Sequence, residues 1–309
     1  MGSQPDMTDA PTVSIVLPVH NREVLVRRAI DSVLAQTRRD FELIVIDDCS
    51  TDRTVEVVRE YCSDPRVRLE LNTTNLGAGG ARNRGIELAR GRYVAFQDSD
   101  DRWFPEKLEL QLQAIEAAPD CRVCYCGALY YSSVQCYYIP RHGAFDIGAA
   151  AQGDISEAVL HSNPTTPQTL MVERSLFEEV GGFDISLRIN EDWELAVRLA
   201  QKTRFAFVPD PLVVIYRTEN SVSSDKVADT AFRKKLLTDH ADLYAKYPGA
   251  RARQNYIIGG QSIENAAHRD AVEYFRRSYR DSPSFRSLVQ IWRARILGLS
   301  GKKSPSGAR

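Results

Sequence analysis

The sequence lacks several patterns, and each absence excludes a class of protein. No apolar run approaches the roughly 18–20 residues that a membrane-spanning helix needs. The first residues are polar and acidic, without the basic and apolar regions of a secretory signal peptide. The five histidines show no H-x-x-x-H spacing and no G-x-S-x-G segment occurs, which disfavours metalloproteases and serine hydrolases. We therefore expect a cytoplasmic globular protein in which residues 1–11 form a disordered leader.

Cysteine is scarce, and its arrangement gives little support to a disulfide framework or a zinc site. Six cysteines in 309 residues are too few for a disulfide scaffold. Cys121, Cys124 and Cys126 lie close together, but in an alternating, strand-like run instead of the paired knuckles typical of zinc sites. We therefore favour buried, reduced thiols over zinc.

Charge is nearly balanced overall but unevenly distributed. The chain has 40 Lys and Arg against 41 Asp and Glu, a formal net charge of −1. From Arg276 to the end there are nine basic residues and a single acid, Asp281, so this tail carries +8 and the rest of the chain −9. An acidic body argues against a nucleic-acid partner, which needs clustered Lys and Arg. The basic tail alone suits an anionic partner.

Apolar runs alternate with helical patterns up to about residue 130. Between the runs, apolar residues at i, i+3, i+4 and i+7 indicate amphipathic helices. This alternation implies right-handed crossovers and a mainly parallel sheet with helices on both faces, an α/β, Rossmann-like fold. The predicted strands are Val13–Val19, Glu42–Ile46, Arg66–Leu71 and Tyr93–Gln97.

The remainder of the chain is less regular and then becomes helical. From about Lys226 to Leu297 helical periodicity dominates. We predict a helical C-terminal region over residues 221–299 and a disordered tail over 300–309. Before this region we predict two helices, Glu173–Val180 and Glu191–Gln201, and then two strands, Phe205–Val208 and Val213–Tyr216.

Two acidic clusters follow predicted strands. Asp47 and Asp48 close the second strand, and Asp98 and Asp100 follow the fourth in the sequence Asp-Ser-Asp-Asp. Ligands of parallel sheets bind at the carboxyl ends of the strands, so both clusters are expected at one crevice. Carboxylates suit hard divalent cations, since Mg²⁺ takes one or two of them together with phosphate oxygens. The alternative is a solvated acidic turn that caps the following helix.

The segment from Gly77 to Arg82, GAGGAR, is similar to a phosphate loop but matches neither common fingerprint. Arg82 stands where the dinucleotide motif has its third glycine, and the Gly-Lys-Ser/Thr of a Walker A loop is missing. We expect either a flexible loop that presents Arg82 to a diphosphate or a simple tight turn. Periodicity also predicts a helix over Gly79–Ala89.

Glu191 and Asp192 open a predicted helix. The helix dipole favours acids in a first turn, which is a sufficient structural reason for both. A carboxylate here can also act as a general base when burial or a neighbouring carboxylate raises its pKa. The adjoining Trp193 either stacks on a sugar or belongs to the core.

Four stretches, taken in order, resemble one family. They are VSIVLPVHNR, QTRRDFELIVIDDCSTD, NLGAGGARNRGIELARGRYVAFQDSDDRWFPEKLE and VGGFDISLRINEDWELAVRLA. Together they are similar, over about residues 12–217, to the inverting nucleotide-sugar glycosyltransferases with the GT-A fold, often called family 2. The resemblance implies a hexosyl-transferring enzyme with a domain over 12–220, divided into a nucleotide-sugar-binding half at 12–117 and an acceptor-binding half at 118–220.

The resemblance also implies roles for individual residues. Asp98 and Asp100 would form a D-x-D pair, with Asp100 holding Mg²⁺ or Mn²⁺, and Asp192 would deprotonate the acceptor hydroxyl. Many relatives carry a further histidine ligand where this chain continues Thr-Glu-Asn, so Glu219 either replaces that ligand or the site lacks it. The donor-binding residues would be Pro18, Val19, His20, Asn21, Asp48, Arg82, Asp98 and Ser99. The acceptor-binding residues would be Glu191, Trp193, Thr166 and Gln168.

The basic tail contains an amphipathic pattern. Its apolar residues fall mostly on one side of a helix, with Arg286 and Arg293 beside them and Arg295 within the apolar arc. Such a helix either lies on an anionic membrane or packs on its own domain, and the sequence leaves both open. The apolar residues are Leu288, Val289, Ile291, Trp292, Ile296 and Leu299.

We therefore expect a Mg²⁺- or Mn²⁺-dependent inverting glycosyltransferase that moves a sugar from a UDP- or dTDP-sugar to a glycan or lipid-linked acceptor. Its expected process is cell-surface polysaccharide or glycoconjugate synthesis, and its expected location is cytoplasmic or peripheral on the cytoplasmic membrane face. Two alternatives stay open: a glycoside hydrolase with paired carboxylates, and a nucleotide-binding module without catalysis.

Overall fold

The computed structural model describes residues 10–133, 135–139, 152–217 and 225–300. These residues divide into two compact units. The first lies within Met1–Val159 and Asn163–Ser221, and the second within Leu160–Ser162 and Val222–Arg309. The leader and the tail predicted to be disordered fall almost wholly outside the described residues, and the predicted domain boundaries stay predictions.

The first unit is built on a mixed, mostly parallel sheet, with nine strands among the described residues. The strands are β1 Val13–Val19, β2 Phe41–Asp47, β3 Val67–Leu71, β4 Tyr93–Phe96, β5 Arg102–Trp103, β6 Cys121–Tyr131, β7 Cys136–Ile139, β8 Leu170–Glu173 and β9 Arg204–Tyr216. Their order is β3-β2-β1-β4-β8-β6-β9-β5, with β7 paired to β6. The predicted α/β fold is thus confirmed.

Helices flank this sheet because the sequence alternates apolar strands with amphipathic segments. A short 3₁₀ turn, Pro167–Thr169, precedes β8. The helices are α1 Val26–Leu34, α2 Thr54–Tyr61, α3 Gly77–Leu88, α4 Lys107–Glu116, the single-turn α5 Ala158–His161, α6 Leu176–Val180 and α7 Glu191–Ala200.

Strand β1 lies between β2 and β4 in the sheet and is buried on both sides. Its residues Ile15 and Leu17 belong to the same apolar cluster as residues of α1 and α4. On the opposite side, Val16 packs against α3, where a Cβ added to Gly85 would lie 2.2 Å from Val16 Cγ1. Glycine at this position therefore lets α3 approach the sheet closely, which fixes the side chains that α3 carries.

Two predicted elements differ from the structure. The segment Leu170–Glu173 is a strand between β4 and β6, so the helix predicted from Glu173 is wrong at its start and begins at Leu176. The two strands predicted near the end of the sheet are one strand, β9, which continues through Pro209 and Pro211. Register shifts around Gly127 of the neighbouring β6 accommodate this irregular stretch, since a bulge tolerates residues that cannot donate to the ladder.

The second unit is helical, as predicted for the C-terminal region. Asp225 begins its first helix by accepting hydrogen bonds from the backbone N–H groups of Val227 and Ala228. Its helices are α8 Lys226–Asp239, α9 Ala241–Lys246, α10 Pro248–Glu264, α11 His268–Asp281 and α12 Phe285–Ser300. Across the described ranges, none of the helices combines the length and apolar character required to span a bilayer.

Candidate active site

Both acidic clusters lie at one edge of the sheet. Strand β1 pairs in parallel with β2 and with β4, so the segments that follow these strands leave the sheet side by side. The backbone N–H of Asp48, after β2, donates to Val19 O over 2.8 Å. The N–H of Gln97, just before Asp98, donates to Val16 O over 2.9 Å. This is the edge at which parallel sheets bind their ligands.

Arg82 joins the D-x-D turn to the start of α7. Its Nη2 donates to Asp98 Oδ1 over 2.7 Å, and its Nη1 donates to Glu191 Oε1 over 2.9 Å. The guanidinium also lies over the Phe183 ring, 5.4 Å from the centroid. Burial opposes the charge of this side chain, but the carboxylates of Asp98 and Glu191 outweigh burial and raise the pKa of Arg82. Arg82 is thus a buried, permanent cation between two carboxylates.

Arg82 lies on a helix, which confirms the helix predicted over Gly79–Ala89, whereas the flexible loop or tight turn expected over Gly77–Arg82 is wrong. Helix α3 begins at Gly77 and includes the whole glycine-rich segment. The Asp48 carboxylate accepts hydrogen bonds from the N–H groups of Leu76 and Gly77, each over 2.8 Å. A carboxylate at a helix N-terminus satisfies donors that have no partner inside the helix. This long-range cap compensates for the low helix propensity of the glycines.

Asp48 therefore has protein partners on both oxygens. Asn72 Nδ2 also donates to its Oδ1 over 2.9 Å, so the carboxylate accepts three hydrogen bonds in all. Around it, Pro18–Val19 is buried in β1, whereas His20 and Asn21 are exposed at the edge of the sheet. The nucleotide contacts expected of these residues stay predictions. In the structure, the Asp48 carboxylate caps the N-terminus of α3.

The two aspartates after Asp98 have different surroundings. The carboxylate of Asp100 is partly buried and, within the described part of the chain, bonds to no other side chain. Burial and the charge of Asp98 raise the pKa of Asp100. Asp101 is fully buried and accepts hydrogen bonds from Gln168 Nε2 and, over 2.9 Å, from Tyr216 N. Among the described residues, Asp100 is thus the carboxylate without a side-chain hydrogen bond, whereas Asp101 links β9 to the segment before β8.

Asp192 has the surroundings of a general base. Asn163 Nδ2 donates to Asp192 Oδ2 over 2.8 Å. Burial and, second, the negative charge of Glu191 raise the pKa of Asp192 to about 7, although Arg82 and the Asn163 hydrogen bond act in the opposite direction. A carboxyl group that titrates near neutral pH can accept a proton from a hydroxyl and release it again.

The loop between α6 and α7 supports this site; the sequence placed it in a family motif but assigned none of its residues a role. Asn83, next to Arg82, makes two hydrogen bonds to the backbone of Phe183. Its Oδ1 accepts from the Phe183 N–H over 2.7 Å, and its Nδ2 donates to the Phe183 carbonyl over 2.9 Å. Arg198 Nη2 donates to the carbonyl of Gly182 over 2.7 Å. The Gly-Gly-Phe run was the only sequence signal for this loop. It could not predict the contact, because Asn83, the partner of Phe183, lies 100 residues earlier in the chain.

The four residues expected to bind the acceptor occupy different positions. Glu191 is paired with Arg82. Trp193 is only 4% exposed and donates from Nε1 to Val159 O over 2.6 Å, so its ring belongs to the core. Gln168 is buried against Asp101, and Thr166 precedes the 3₁₀ turn. Their acceptor contacts stay predictions.

A metal held by protein ligands alone is not found within the described ranges. There, no three His, Cys, Asp or Glu side chains group closely enough to hold an ion. Cys121, Cys124 and Cys126 are buried and free, the state that the sequence favours. Glu219 lies outside the described residues.

The fold and the site define an α/β protein with acidic side chains at the carboxyl ends of its parallel strands, and comparison with known proteins identifies the family. The model described as Glycosyl transferase family 2 matches residues 14–181, more than half of the chain. The succinoglycan biosynthesis protein ExoO of Rhizobium meliloti is 30% identical over 307 residues, which cover 95% of this chain and 81% of ExoO. The chain belongs to glycosyltransferase family 2, and it is a glycosyltransferase.

Two solved structures share the fold. S. aureus TarS 1–349 in complex with UDP-GlcNAc has a TM-score of 0.64 and 16% identity, covering 94% of this chain and 92% of that one. The mannosyltransferase PcManGT from Pyrobaculum calidifontis, in complex with GDP-Man and Mn²⁺, has a TM-score of 0.61 and 18% identity, covering 97% and 90%. At such low identity this likeness shows the GT-A fold and nothing further.

Proposed function

We propose that this enzyme is a metal-dependent inverting glycosyltransferase that moves a sugar from a nucleotide-diphosphate donor to a hydroxyl group of a glycan or lipid-linked acceptor. The observation that carries the proposal is the bridge made by Arg82, which is 2.7 Å from Asp98 and 2.9 Å from Glu191. Because Glu191 adjoins Asp192, this bridge supports a single site for the proposed donor-side carboxylates and the proposed base.

The relatives support the substrate class. TarS was solved with UDP-GlcNAc and PcManGT with GDP-Man, so nucleotide sugars are the donors of this fold in both cases. We keep UDP- and dTDP-sugars as the proposed donors, with GDP-sugars as the competing class. The name of ExoO refers to succinoglycan biosynthesis, which favours cell-surface polysaccharide or glycoconjugate synthesis as the process.

Asp192 is the proposed general base. The acceptor oxygen attacks the anomeric carbon of the donor sugar, its proton passes to the Asp192 carboxylate, and the bond from the anomeric carbon to the diphosphate oxygen breaks. In-line attack on the face opposite the leaving group inverts the anomeric configuration. The nucleoside diphosphate leaves as an anion, so no acid is required on the donor side.

The residues at the D-x-D turn fit a divalent cation, with Mg²⁺ and Mn²⁺ as candidates. Asp100 offers a carboxylate that no other described side chain occupies. Burial and, second, the charge of Asp98 raise the pKa of Asp100, and a bound cation would favour its ionised form. Asp98, in contrast, is already paired with Arg82. A bound cation would neutralise charge on the diphosphate. We propose Asp100 as the protein ligand of the ion.

The remaining assignments are proposals of the same kind. Residues 12–117 would form the donor half, with Pro18–Asn21 at the nucleobase and Asp98 with Ser99 at the ribose and diphosphate. Residues 118–220 would form the acceptor half, and residues 221–299 a separate helical region that places the enzyme on the cytoplasmic face of a membrane.

A thermal-shift screen of nucleoside diphosphates and their sugars, with Mg²⁺, Mn²⁺ or EDTA, tests the proposal. A ligand at about a hundred times its Kd stabilises the folded state by about 2.7 kcal/mol, so the melting temperature should rise with one nucleotide class and fall back when EDTA is added. No shift with any nucleotide, at any metal concentration, would refute the donor assignment.

The same samples separate the alternatives. A glycoside hydrolase would release sugar from a glycoside in the presence of EDTA, because its two carboxylates need no metal. A binding module without catalysis would show the thermal shift but no nucleotide release from the donor sugar with any acceptor preparation.

A further inference from the structure

Helix α12 carries a continuous apolar face that is exposed. Trp292 is 63% exposed and Ile296 61%, which is unusual for large apolar side chains. In the described part of the second unit nothing covers this face. The exposed apolar residues of α12 are Phe285, Leu288, Val289, Trp292, Ile296 and Leu299.

The opposite side of α12 anchors the helix. Ile291 and Ala294 are buried and pack with Ala271 and Phe275 of α11 in one apolar cluster. The sequence places Ile291 on the same side as Trp292, but the structure puts Ile291 inside. At about 100° per residue, the six exposed residues then fall within an arc of about 100° that faces away from Ile291 and Ala294.

Arginines border the exposed arc on both sides. Arg286 and Arg293 lie beyond one edge of the arc, and Arg295 lies beyond the other. The sequence pattern placed Arg295 within the arc because it counted Ile291 as part of the apolar face. All three are exposed, and in the described residues none forms an ion pair with an acid. The Arg295 guanidinium lies 5.6 Å from the centroid of the Trp292 ring. The chain from Arg276 onward carries a net charge of +8.

We propose that α12 lies flat on a membrane surface rich in anionic phospholipid. The apolar arc enters the boundary between headgroups and acyl chains, and the bordering arginines reach lipid phosphates on both sides. A strip of six large apolar residues with cations along both edges matches this environment in geometry and in charge. A protein groove would not require cations on both edges. This inference does not depend on the proposed donor or base, since the surface belongs to the second unit.

Vesicle co-sedimentation of the full-length protein tests the proposal. The vesicles consist of phosphatidylcholine alone or of equal parts phosphatidylcholine and phosphatidylglycerol. One variant, Trp292→Ser with Ile296→Ser, removes apolar surface, and a second, Arg286→Gln with Arg293→Gln, removes charge. All four positions are exposed, so circular dichroism and melting temperature should match the wild type.

Matched controls carry equal changes elsewhere. Val24→Ser with Ile185→Ser alters two side chains that are 78% and 72% exposed on the first unit. Arg38→Gln with Arg59→Gln removes two other exposed arginines. Both controls should bind vesicles as the wild type does.

We expect the wild type to bind the anionic vesicles and to bind phosphatidylcholine weakly. The apolar variant should lose about tenfold or more in partition coefficient. The arginine variant should lose about 25-fold on anionic vesicles, since each of the two arginines near such a surface contributes about fivefold. Added salt should weaken wild-type binding.

Three results would overturn the proposal. The first is no binding of the wild type to anionic vesicles. The second is equal binding by the wild type and both α12 variants. The third is a wild-type dimer in light scattering that becomes a monomer in the Trp292→Ser, Ile296→Ser variant without any vesicle binding, which would make this face a contact between two copies of the chain.

Discussion

Arg82 donates a hydrogen bond from Nη2 to Oδ1 of Asp98 over 2.7 Å, which ties the glycine-rich helix to the D-x-D turn. The two residues are 16 positions apart, whereas Glu191, the second partner of Arg82, is 109 positions away. One buried cation therefore balances one carboxylate of the predicted donor half and one of the predicted acceptor half. The consequences of this arrangement can be measured.

Replacing Arg82 should destabilise the protein strongly. Arg82→Gln leaves Asp98 and Glu191 without their cation in a partly buried site, and breaking a buried pair in this way costs about 3–5 kcal/mol. Arg82→Lys should destabilise the protein less than Arg82→Gln does. It keeps the positive charge, but an ammonium group cannot donate to both carboxylates in the geometry of the guanidinium. Urea unfolding measures the free energy of unfolding. Arg84→Gln, on the exposed side of the same helix, is the control and should change it by less than about 0.5 kcal/mol. A loss below about 1 kcal/mol for Arg82→Gln would contradict the role given to the bridge.

Asp192→Asn should abolish most turnover while leaving nucleotide binding intact. The amide is nearly the same shape but cannot accept the acceptor proton, so we expect kcat to fall by a factor of about 10²–10⁴. Product formation measures turnover, and calorimetry of nucleotide binding is the second readout. Asp120→Asn changes an exposed aspartate far from this edge of the sheet and should have no effect. Turnover near the wild-type level in Asp192→Asn would rule out this residue as the base.

The pH profile should report the surroundings of Asp192. Its pKa is raised to about 7, so the rate should rise with pH through that value as the carboxylate ionises. Asn163 stabilises the ionised form, so Asn163→Ala should raise the pKa and move the rising limb to higher pH. Glu191→Gln removes a like charge and should move the limb to lower pH. Initial rates between about pH 5 and 9 measure both shifts. If the rising limb of the pH–rate profile does not move in either variant, the pH dependence does not arise from Asp192.

Asp100→Ala should remove the metal dependence of nucleotide binding. Asp100 offers the free carboxylate at the D-x-D turn, so its loss should reduce affinity for the nucleoside diphosphate in Mn²⁺ about to the level seen in EDTA. Isothermal calorimetry with and without Mn²⁺ measures this difference. If Asp100→Ala binds the nucleotide as tightly as the wild type in Mn²⁺, the ion has another ligand.

Gly85→Ala should destabilise the first unit. The added Cβ would lie 2.2 Å from Val16 Cγ1, so α3 must move away from β1. Such overpacking typically costs about 1–3 kcal/mol. The control is Gly260→Ala in α10, where a Cβ meets no atom within 4 Å, and better helix propensity should stabilise the protein by about 0.5–1 kcal/mol. Urea unfolding should show a lower free energy of unfolding for Gly85→Ala and a higher one for Gly260→Ala. An unchanged free energy of unfolding in Gly85→Ala would show that α3 can move away from β1 without loss of stability.

Much of the donor half could be predicted because its signals are local. The apolar run at Val13–Val19 and the acids after β2 and β4 fix strands and their ends by period and position alone. The glycine-rich segment was harder. Its composition argues for a loop, but Asp48 caps it from a neighbouring strand and makes it the start of a helix. The short strand Leu170–Glu173 was missed because four residues carry too little periodicity to separate a strand from a helix.

The sequence by itself determined the α/β architecture, the order of the motifs and the identity of the acidic residues, since these follow from side-chain chemistry and short-range spacing. The tertiary structure decided which groups meet. It gave Arg82 its two carboxylates and placed Asn163 on Asp192. It also turned Ile291 inward and left Trp292 in solvent. The physical reason is the same in each case: partners distant in sequence are chosen by packing and by the need to neutralise buried charge, and neither requirement leaves a local pattern.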